Sequence, residues 1–164
     1  MLKFSGIVLA CVALMGYMGN IAFAHGEKKG NTAPVVKEQT AWGIAGHASK
    51  VVRTIDVSMG DDMRFKPGRM EVREGETIRF VVRNTGALLH EFVIGTPAEN
   101  ARHAELMLKF PGMEHDEPYM AHVAPGKAGE IVWLFNKAGE FEFACLMAGH
   151  FQAGMVGTIT VTAK

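Results

Sequence analysis

Hydrophobic and polar residues alternate with a period of two along much of the chain beyond residue 50. In VVRTIDVSM, residues 51–59, Ile55, Val57 and Met59 fall on one face and polar residues on the other. The same alternation recurs in ETIRFVVRN at 76–84, EIVWLFN at 130–136 and EFEFAC at 140–145. A period of two is typical of β-strands that bury one face. The pattern therefore predicts at least four half-buried strands.

Glycine-containing turns separate these short strands, and helical periodicity between them is slight. The turns contain Gly68, Gly75, Gly86, Gly126 and Gly139. Short strands with this spacing indicate an all-β sandwich or barrel. Residues 50–164 are predicted to form the domain, which is long enough to bury a core without help from a partner.

Two segments interrupt the strand pattern. Residues 25–49 are polar and rich in Gly and Lys, and they predict a flexible leader. Residues 97–122 form an insert in which Glu99 to Lys109 could be a short helix, ended by Pro111.

The first 24 residues have the features of a secretory signal peptide. Lys3 precedes an apolar run, and Ala22-Phe23-Ala24 has the small-x-small pattern of a cleavage site. We therefore expect cleavage after Ala24 and export to the periplasm, without stable membrane association.

Charge limits the possible partners, and cysteine content limits the possible roles of the remaining thiol. The chain has 17 basic and 17 acidic residues, and cleavage would remove only Lys3, which argues against nucleic acid or an anionic membrane as a partner. Cleavage would also remove Cys11 and leave Cys145 as the sole cysteine. A lone thiol in an oxidising compartment is an inert core residue, a nucleophile or a metal ligand.

The stretch CLMAGHFQAGM favours the third of these alternatives. It places Cys145, His150 and Met155 at equal spacing between a predicted strand and the last strand. NTGALLHEFVIG supplies a second imidazole, His90, at the start of another strand. One thiolate, two imidazoles and a weak axial thioether are the ligands of a type 1 copper site. Each residue alone could be a core residue, but their joint occurrence at strand ends predicts the copper site.

On these motifs, and on MRFKPGRMEVREGETIRFVVRNTG at 63–86, residues 50–164 resemble the cupredoxins. Within that family the chain is most similar to the periplasmic copper-tolerance cupredoxins of the CopI type. The resemblance implies a Greek-key β-sandwich of about seven to eight strands. It also implies His90, Cys145 and His150 as the strong ligands and Met155 as the axial ligand. Glu91 departs from the family pattern, which often has Asn or Ser after the first histidine, so a blue or a green copper site is expected.

Two roles remain open for such a centre. Resemblance to the CopI type and the surplus of His and Met favour copper tolerance, with a capacity for one-electron transfer. A complete type 1 ligand set also suits a mobile electron carrier with no specific role in copper resistance. Copper oxidases and reductases need further copper centres, typically with His-x-His pairs, and the sequence contains none. We therefore expect no enzymatic activity and no catalytic residues.

A second group of metal-binding side chains lies in the insert. Its members are His103, Met107, Met113, His115, Met120 and His122. The thioethers suggest a weaker additional copper site that prefers Cu(I). Alternatively, Met107 and Met120 pack against the sandwich while the histidines are solvated. His25, at the predicted mature N-terminus, is a further candidate chelator.

The sequence also suggests how the protein would meet its partners. Apolar and small residues surround His150, and Ala87 and Leu88 could extend the same patch. Such a patch would suit transient docking of a redox or copper-transfer protein near His150. A monomer is the default expectation for a carrier of this size.

Overall fold

The computed structural model of the protein describes residues 37–113 and 115–164. The predicted signal peptide and residues 25–36 lie outside the described residues. In chain order the elements are β1 (Ile44–Ala45), a 3-10 helix (Ala48–Lys50), β2 (Arg53–Gly60), β3 (Arg64–Lys66), β4 (Arg69–Arg73), β5 (Thr77–Asn84), β6 (His90–Gly95), α1 (Pro97–Lys109), β7 (Met120–Val123), β8 (Ala128–Leu134), β9 (Gly139–Ala144) and β10 (Val156–Thr162).

The strands form two five-stranded sheets. The first has the order β1-β8-β5-β2-β3 and the second has the order β4-β10-β9-β6-β7. The pairs β2–β5 and β4–β10 are parallel, and the other neighbouring strands are antiparallel. The predicted all-β sandwich is confirmed. The described residues contain ten strands instead of about seven to eight, because β1 and β3 are too short to show a period in the sequence.

The inner faces of the two sheets form the core that the alternation predicted. Val57 and Met59 in β2 are each 1% exposed, and Ile78, Phe80 and Val82 in β5 are fully buried. Burying a side chain of this size contributes about 1.5–3 kcal/mol to stability. The core therefore fixes which face of each strand points inward.

The predicted flexible leader is wrong for its last ten residues. Ile44 and Ala45 form β1 and pair with β8. Trp42 is buried, and its carbonyl oxygen accepts a hydrogen bond of 3.0 Å from Nε1 of Trp133. Two paired residues give no periodic signal, so the polar composition around them masked their place in the fold.

Helix α1 confirms the helix predicted in the insert and begins two residues earlier. The hydroxyl of Thr96 caps its N-terminus by accepting a hydrogen bond from the Glu99 amide. Ala104 and Met107 are buried in a small apolar cluster with residues of the second sheet. Among the residues that the structure describes, no helix is long and apolar enough to cross a membrane.

Candidate metal centre

The candidate ligands lie where strands of the second sheet end. His90 is the first residue of β6, and Cys145 directly follows the last residue of β9. Because β6 and β9 are antiparallel neighbours, with Val93 opposite Ala144, Cys145 lies beside the start of β6. The Glu91 amide donates a hydrogen bond of 3.3 Å to the Cys145 Sγ atom. The sheet itself thus holds the thiol next to His90.

Backbone hydrogen bonds close the loop between β9 and β10. The Cys145 amide donates to the Met155 carbonyl at 3.0 Å, and the Met155 amide donates to the His150 carbonyl at 3.1 Å. Gly149 and Gly154 have φ angles of 89° and 86°, which glycine adopts with least strain. The small residues of this loop therefore let it turn tightly enough to bring His150 back to Cys145.

Three donor atoms converge at this end of the sandwich. The Cys145 Sγ atom lies 3.2 Å from Nδ1 of His150 and 3.9 Å from Nδ1 of His90. The three donor atoms all lie within 4.8 Å of one another, a spacing that one metal ion could bridge. Met155, the fourth predicted ligand, belongs to the same buried core cluster as Cys145.

Three of the four candidate ligands are shielded from solvent. His90, Cys145 and Met155 are fully buried, whereas His150 is partly exposed. Burial raises the pKa of the Cys145 thiol to about 12, although the hydrogen bond from the Glu91 amide acts in the opposite direction. Burial lowers the pKa of His150, and the neighbouring His90 lowers it further. At neutral pH the thiol therefore keeps its proton until a cation replaces it.

Asp61 orients His90 from the turn between β2 and β3. Its Oδ1 atom lies 3.0 Å from Nε2 of His90, and its carboxylate also accepts hydrogen bonds from the amides of Ala87 and Leu88. These bonds, led by that from Ala87, lower the pKa of Asp61. A carboxylate on the outer nitrogen of an imidazole fixes which nitrogen faces a metal. In His90 that nitrogen is Nδ1.

The sequence pattern does not indicate a role for Asp61 or for the residues that support it. Asn84 is buried and ties the turn before His90 to Leu88 and Val123 through its side-chain amide. A Cβ atom on Gly86 would clash with Oδ1 of Asp61, so glycine is needed where these two segments meet. The signal for Asp61 was only an Asp-Asp pair in a turn, and nothing in the sequence links that turn to a histidine 29 residues away.

Asp61→Ala is expected to lower copper affinity by about 10–100-fold, the usual effect of losing a residue that orients a ligand. The reason is that His90 would lose the partner on its outer nitrogen. Asp62→Ala is the matched control, because Asp62 is also a turn carboxylate but pairs with Lys66 instead. Competition titration with a Cu(II) chelator measures the copper affinity of both variants. Equal affinities in the two variants would contradict an orienting role for Asp61.

The structure separates the six residues of the predicted second site into three groups. Met107 and Met120 pack into the apolar cluster between α1 and the second sheet, as the alternative interpretation expected. Met113 is 41% exposed. The three histidines His103, His115 and His122 form a row, with ring centroids 4.5 Å and 5.7 Å apart.

The thiol of Cys145 and the imidazoles of His90 and His150 are suitable ligands for copper. A thiolate is a soft ligand that suits Cu(I), and imidazole accepts both oxidation states. A buried thiol beside two imidazoles on a β-sandwich defines a class of copper-binding protein. The chain matches the family described as copper binding proteins of the plastocyanin/azurin type over residues 51–162, and it belongs to that family.

Two relatives that share one name are similar to about three quarters of the chain. It is 53% identical over 122 residues to the copper-resistant cuproprotein CopI of Rubrivivax gelatinosus, covering 74% of each chain. It is 40% identical over 150 residues to the protein so named in Pseudomonas aeruginosa, covering 74% of this chain and 82% of that one.

Solved structures of two auracyanins share the fold. Auracyanin B superposes with a TM-score of 0.61 at 19% identity, covering 73% of this chain and 94% of its own. The reduced auracyanin of Roseiflexus castenholzii gives 0.59 at 22% identity, covering 68% and 98%. These comparisons confirm the predicted cupredoxin sandwich.

Proposed function

We propose that the protein is a periplasmic cupredoxin that acts in copper tolerance through one type 1 copper centre. His90, Cys145 and His150 would be the strong ligands, and Met155 the axial ligand. The observation that carries this proposal is the convergence of the three donor atoms within 4.8 Å beneath a loop that also brings Met155 into the core. The names of the CopI relatives support the role in copper resistance.

Copper in such a centre would supply the exchange of one electron between Cu(II) and Cu(I). The residues of the chain would hold the ion, stabilise the thiolate and exclude water. The Cys145 thiol gives up its proton on binding, and the Glu91 amide stabilises the thiolate by donating to Sγ. Asp61 holds the His90 ring in place. Full burial of His90, Cys145 and Met155 excludes water, so the surroundings change little when the charge of the centre changes.

A partner protein would meet the centre at His150. This is the one partly exposed residue among the four proposed ligands. Leu88 and Leu89, which directly precede His90, are 47% and 39% exposed and supply apolar surface. A small apolar surface suits transient docking of a redox or copper-transfer protein. We expect a monomer that binds no nucleic acid and has no enzymatic activity of its own.

The second candidate function is a mobile electron carrier with no role in copper resistance. The partly exposed His150 beside a buried thiol favours it, because copper storage alone does not need a route for electrons. The two functions differ in what the organism loses with the protein. Loss of tolerance to added copper marks the first, and loss of growth on one electron acceptor marks the second.

The test is deletion of the gene in the organism of origin, followed by growth at increasing copper concentrations. We expect copper sensitivity that is restored by the wild-type gene and not by a Cys145→Ser gene. Fractionation of the complemented strain is expected to recover the protein from the periplasm, shortened at its N-terminus. A deletion strain with normal copper tolerance and a defect on one electron acceptor would replace the first function by the second.

A further inference from the structure

The turn between β2 and β3 belongs to the first sheet but contacts both segments that contain the candidate ligands. Asp61 in this turn binds the segment before β6. Arg64, the first residue of β3, binds the loop between β9 and β10. Its Nη1 atom donates hydrogen bonds to the carbonyl oxygens of Ala153 at 3.1 Å and of Gly154 at 3.3 Å. These two residues directly precede Met155.

The loop at 146–154 otherwise forms its hydrogen bonds within itself. The backbone amides of His150, Ala153 and Gly154 all donate to carbonyl groups of the same loop. In the described part of the chain, the hydrogen bonds between this loop and the first sheet come from Arg64. The guanidinium of Arg64 is therefore what ties the loop to the opposite sheet.

The backbone that supports Arg64 is itself held firmly. Phe65, the next residue, is buried, and its ring contacts that of Phe92 at a centroid distance of 5.7 Å. The Arg64 amide donates to Oδ1 of Asp62 at 3.3 Å, and Nη1 also donates to the Met63 carbonyl at 2.7 Å. Met63 has a φ angle of 56°, a conformation that a residue other than glycine keeps only where its surroundings hold it.

We propose that Arg64 is a positioning residue for the copper centre: it holds the loop at 146–154 closed, so that His150 and Met155 keep their places beside Cys145. This inference rests on the proposed function, because it concerns the same centre. A guanidinium stays charged at every relevant pH, and its hydrogen bonds to carbonyl groups are stronger than those between neutral groups. The end of the loop cannot move away from β3 without breaking them.

Two measurable properties of the centre depend on this loop. His150 is the partly exposed candidate ligand, so an ion leaves when the loop opens. The axial ligand tunes the reduction potential of such a centre. A Met155 thioether that moves away donates less charge to the ion, which disfavours Cu(II) more than Cu(I). Loss of Arg64 is therefore expected to speed the release of copper and to raise the reduction potential.

The charge of Arg64 acts on the potential in the opposite direction. A positive charge near the centre disfavours Cu(II) more than Cu(I), so its removal alone would lower the reduction potential. Arg64 is exposed, and salt screens such an effect. The sign of the change at high ionic strength thus distinguishes a positioning role from an electrostatic one.

The test uses the full chain loaded with one equivalent of Cu(II). Decay of the thiolate-to-copper band in excess chelator measures release, and a redox titration at high ionic strength measures the reduction potential. We expect Arg64→Ala to release copper about 10-fold faster, as the loss of hydrogen bonds from a charged donor predicts, and to have a higher potential. Arg64→Lys keeps a charged donor on a side chain one bond shorter and is expected to recover part of both changes.

Lys66→Ala is the matched control. Lys66 is exposed on the same strand and pairs with Asp62 at 2.9 Å, so the substitution removes a positive charge without touching the loop. We expect it to release copper at the wild-type rate. Because Arg64 is exposed as well, Arg64→Ala is expected to keep the copper-free fold, which circular dichroism checks.

The possible outcomes separate this inference from the proposed function. Wild-type release and potential in Arg64→Ala, or a lowered potential in both Arg64→Ala and Lys66→Ala, would overturn the positioning role alone. A wild-type protein that shows no thiolate-to-copper band would refute the proposed function and this inference with it. Faster release and a raised potential in Arg64→Ala, partly recovered in Arg64→Lys, would support the inference.

Discussion

Cys145→Ser is expected to abolish the intense thiolate-to-copper absorption band and to lower Cu(II) affinity by more than about 100-fold. Losing a residue that only orients a ligand commonly costs 10–100-fold, and Cys145 would be a ligand itself. Its Sγ atom is the donor shared by both short contacts, at 3.2 Å to His150 and 3.9 Å to His90. Serine keeps the size of the side chain but offers a weaker, harder donor.

The same variant should change how binding depends on pH. Because burial raises the pKa of Cys145 to about 12, binding of copper releases the thiol proton throughout the neutral range. Wild-type affinity should therefore rise about 10-fold per pH unit between roughly pH 7 and pH 9, because one thiol proton leaves for each ion that binds. The variant should lose this slope.

Absorption spectroscopy and chelator competition at several pH values measure both effects. Ala153→Ser is the matched control, since it introduces the same hydroxyl at an exposed position of the same loop. We expect it to bind copper like the wild type. An intense band that survives in Cys145→Ser would mean that the thiol is not a copper ligand.

Phe92→Ala is expected to lower the free energy of unfolding of the copper-free protein by about 3–5 kcal/mol. Phe92 follows Glu91 on β6 and is fully buried. Its ring stacks on that of Phe143 at 4.9 Å and also contacts those of Phe65 and Phe80. Removing it would leave a cavity between the sheets, on the strand that begins with His90.

Urea unfolding without copper measures this loss, because a bound ion would add its own stabilisation. Phe110→Ala is the matched control: Phe110 is 59% exposed at the end of α1, and its loss should change stability by less than about 0.5 kcal/mol. Equal effects of the two substitutions would contradict the central place of Phe92 in the core. A typical domain is stable by only about 5–15 kcal/mol, so the expected loss is large.

The sandwich and the convergence of three candidate ligands could be predicted because their signals are local. A period of two reports directly on burial, and the faces containing Val57 and Phe80 are buried as predicted. The spacing of Cys145 and His150 lies within one loop, so a short stretch of sequence contains it. His90 required only the further observation of an imidazole at the start of a strand.

The remaining features depend on contacts between distant segments. Asp61 meets His90 because a turn of the first sheet lies against the start of β6, and no local pattern encodes that meeting. Arg64 reaches the carbonyls of Ala153 and Gly154 from 89 and 90 residues away in the sequence. Trp42 is buried because two residues of β1 pair with β8, which is too little for a periodic signal.

The unequal burial of the candidate ligands has a kinetic consequence. Strand pairing and backbone hydrogen bonds hold Cys145 and Met155 in place, and Asp61 holds His90. Only His150 lies on a side that solvent reaches. An ion would therefore load and leave past His150, at a rate set by the opening of the loop at 146–154. His150 would then be the ligand that controls entry and release of the ion, and the three buried residues would form a site that exists before the ion binds.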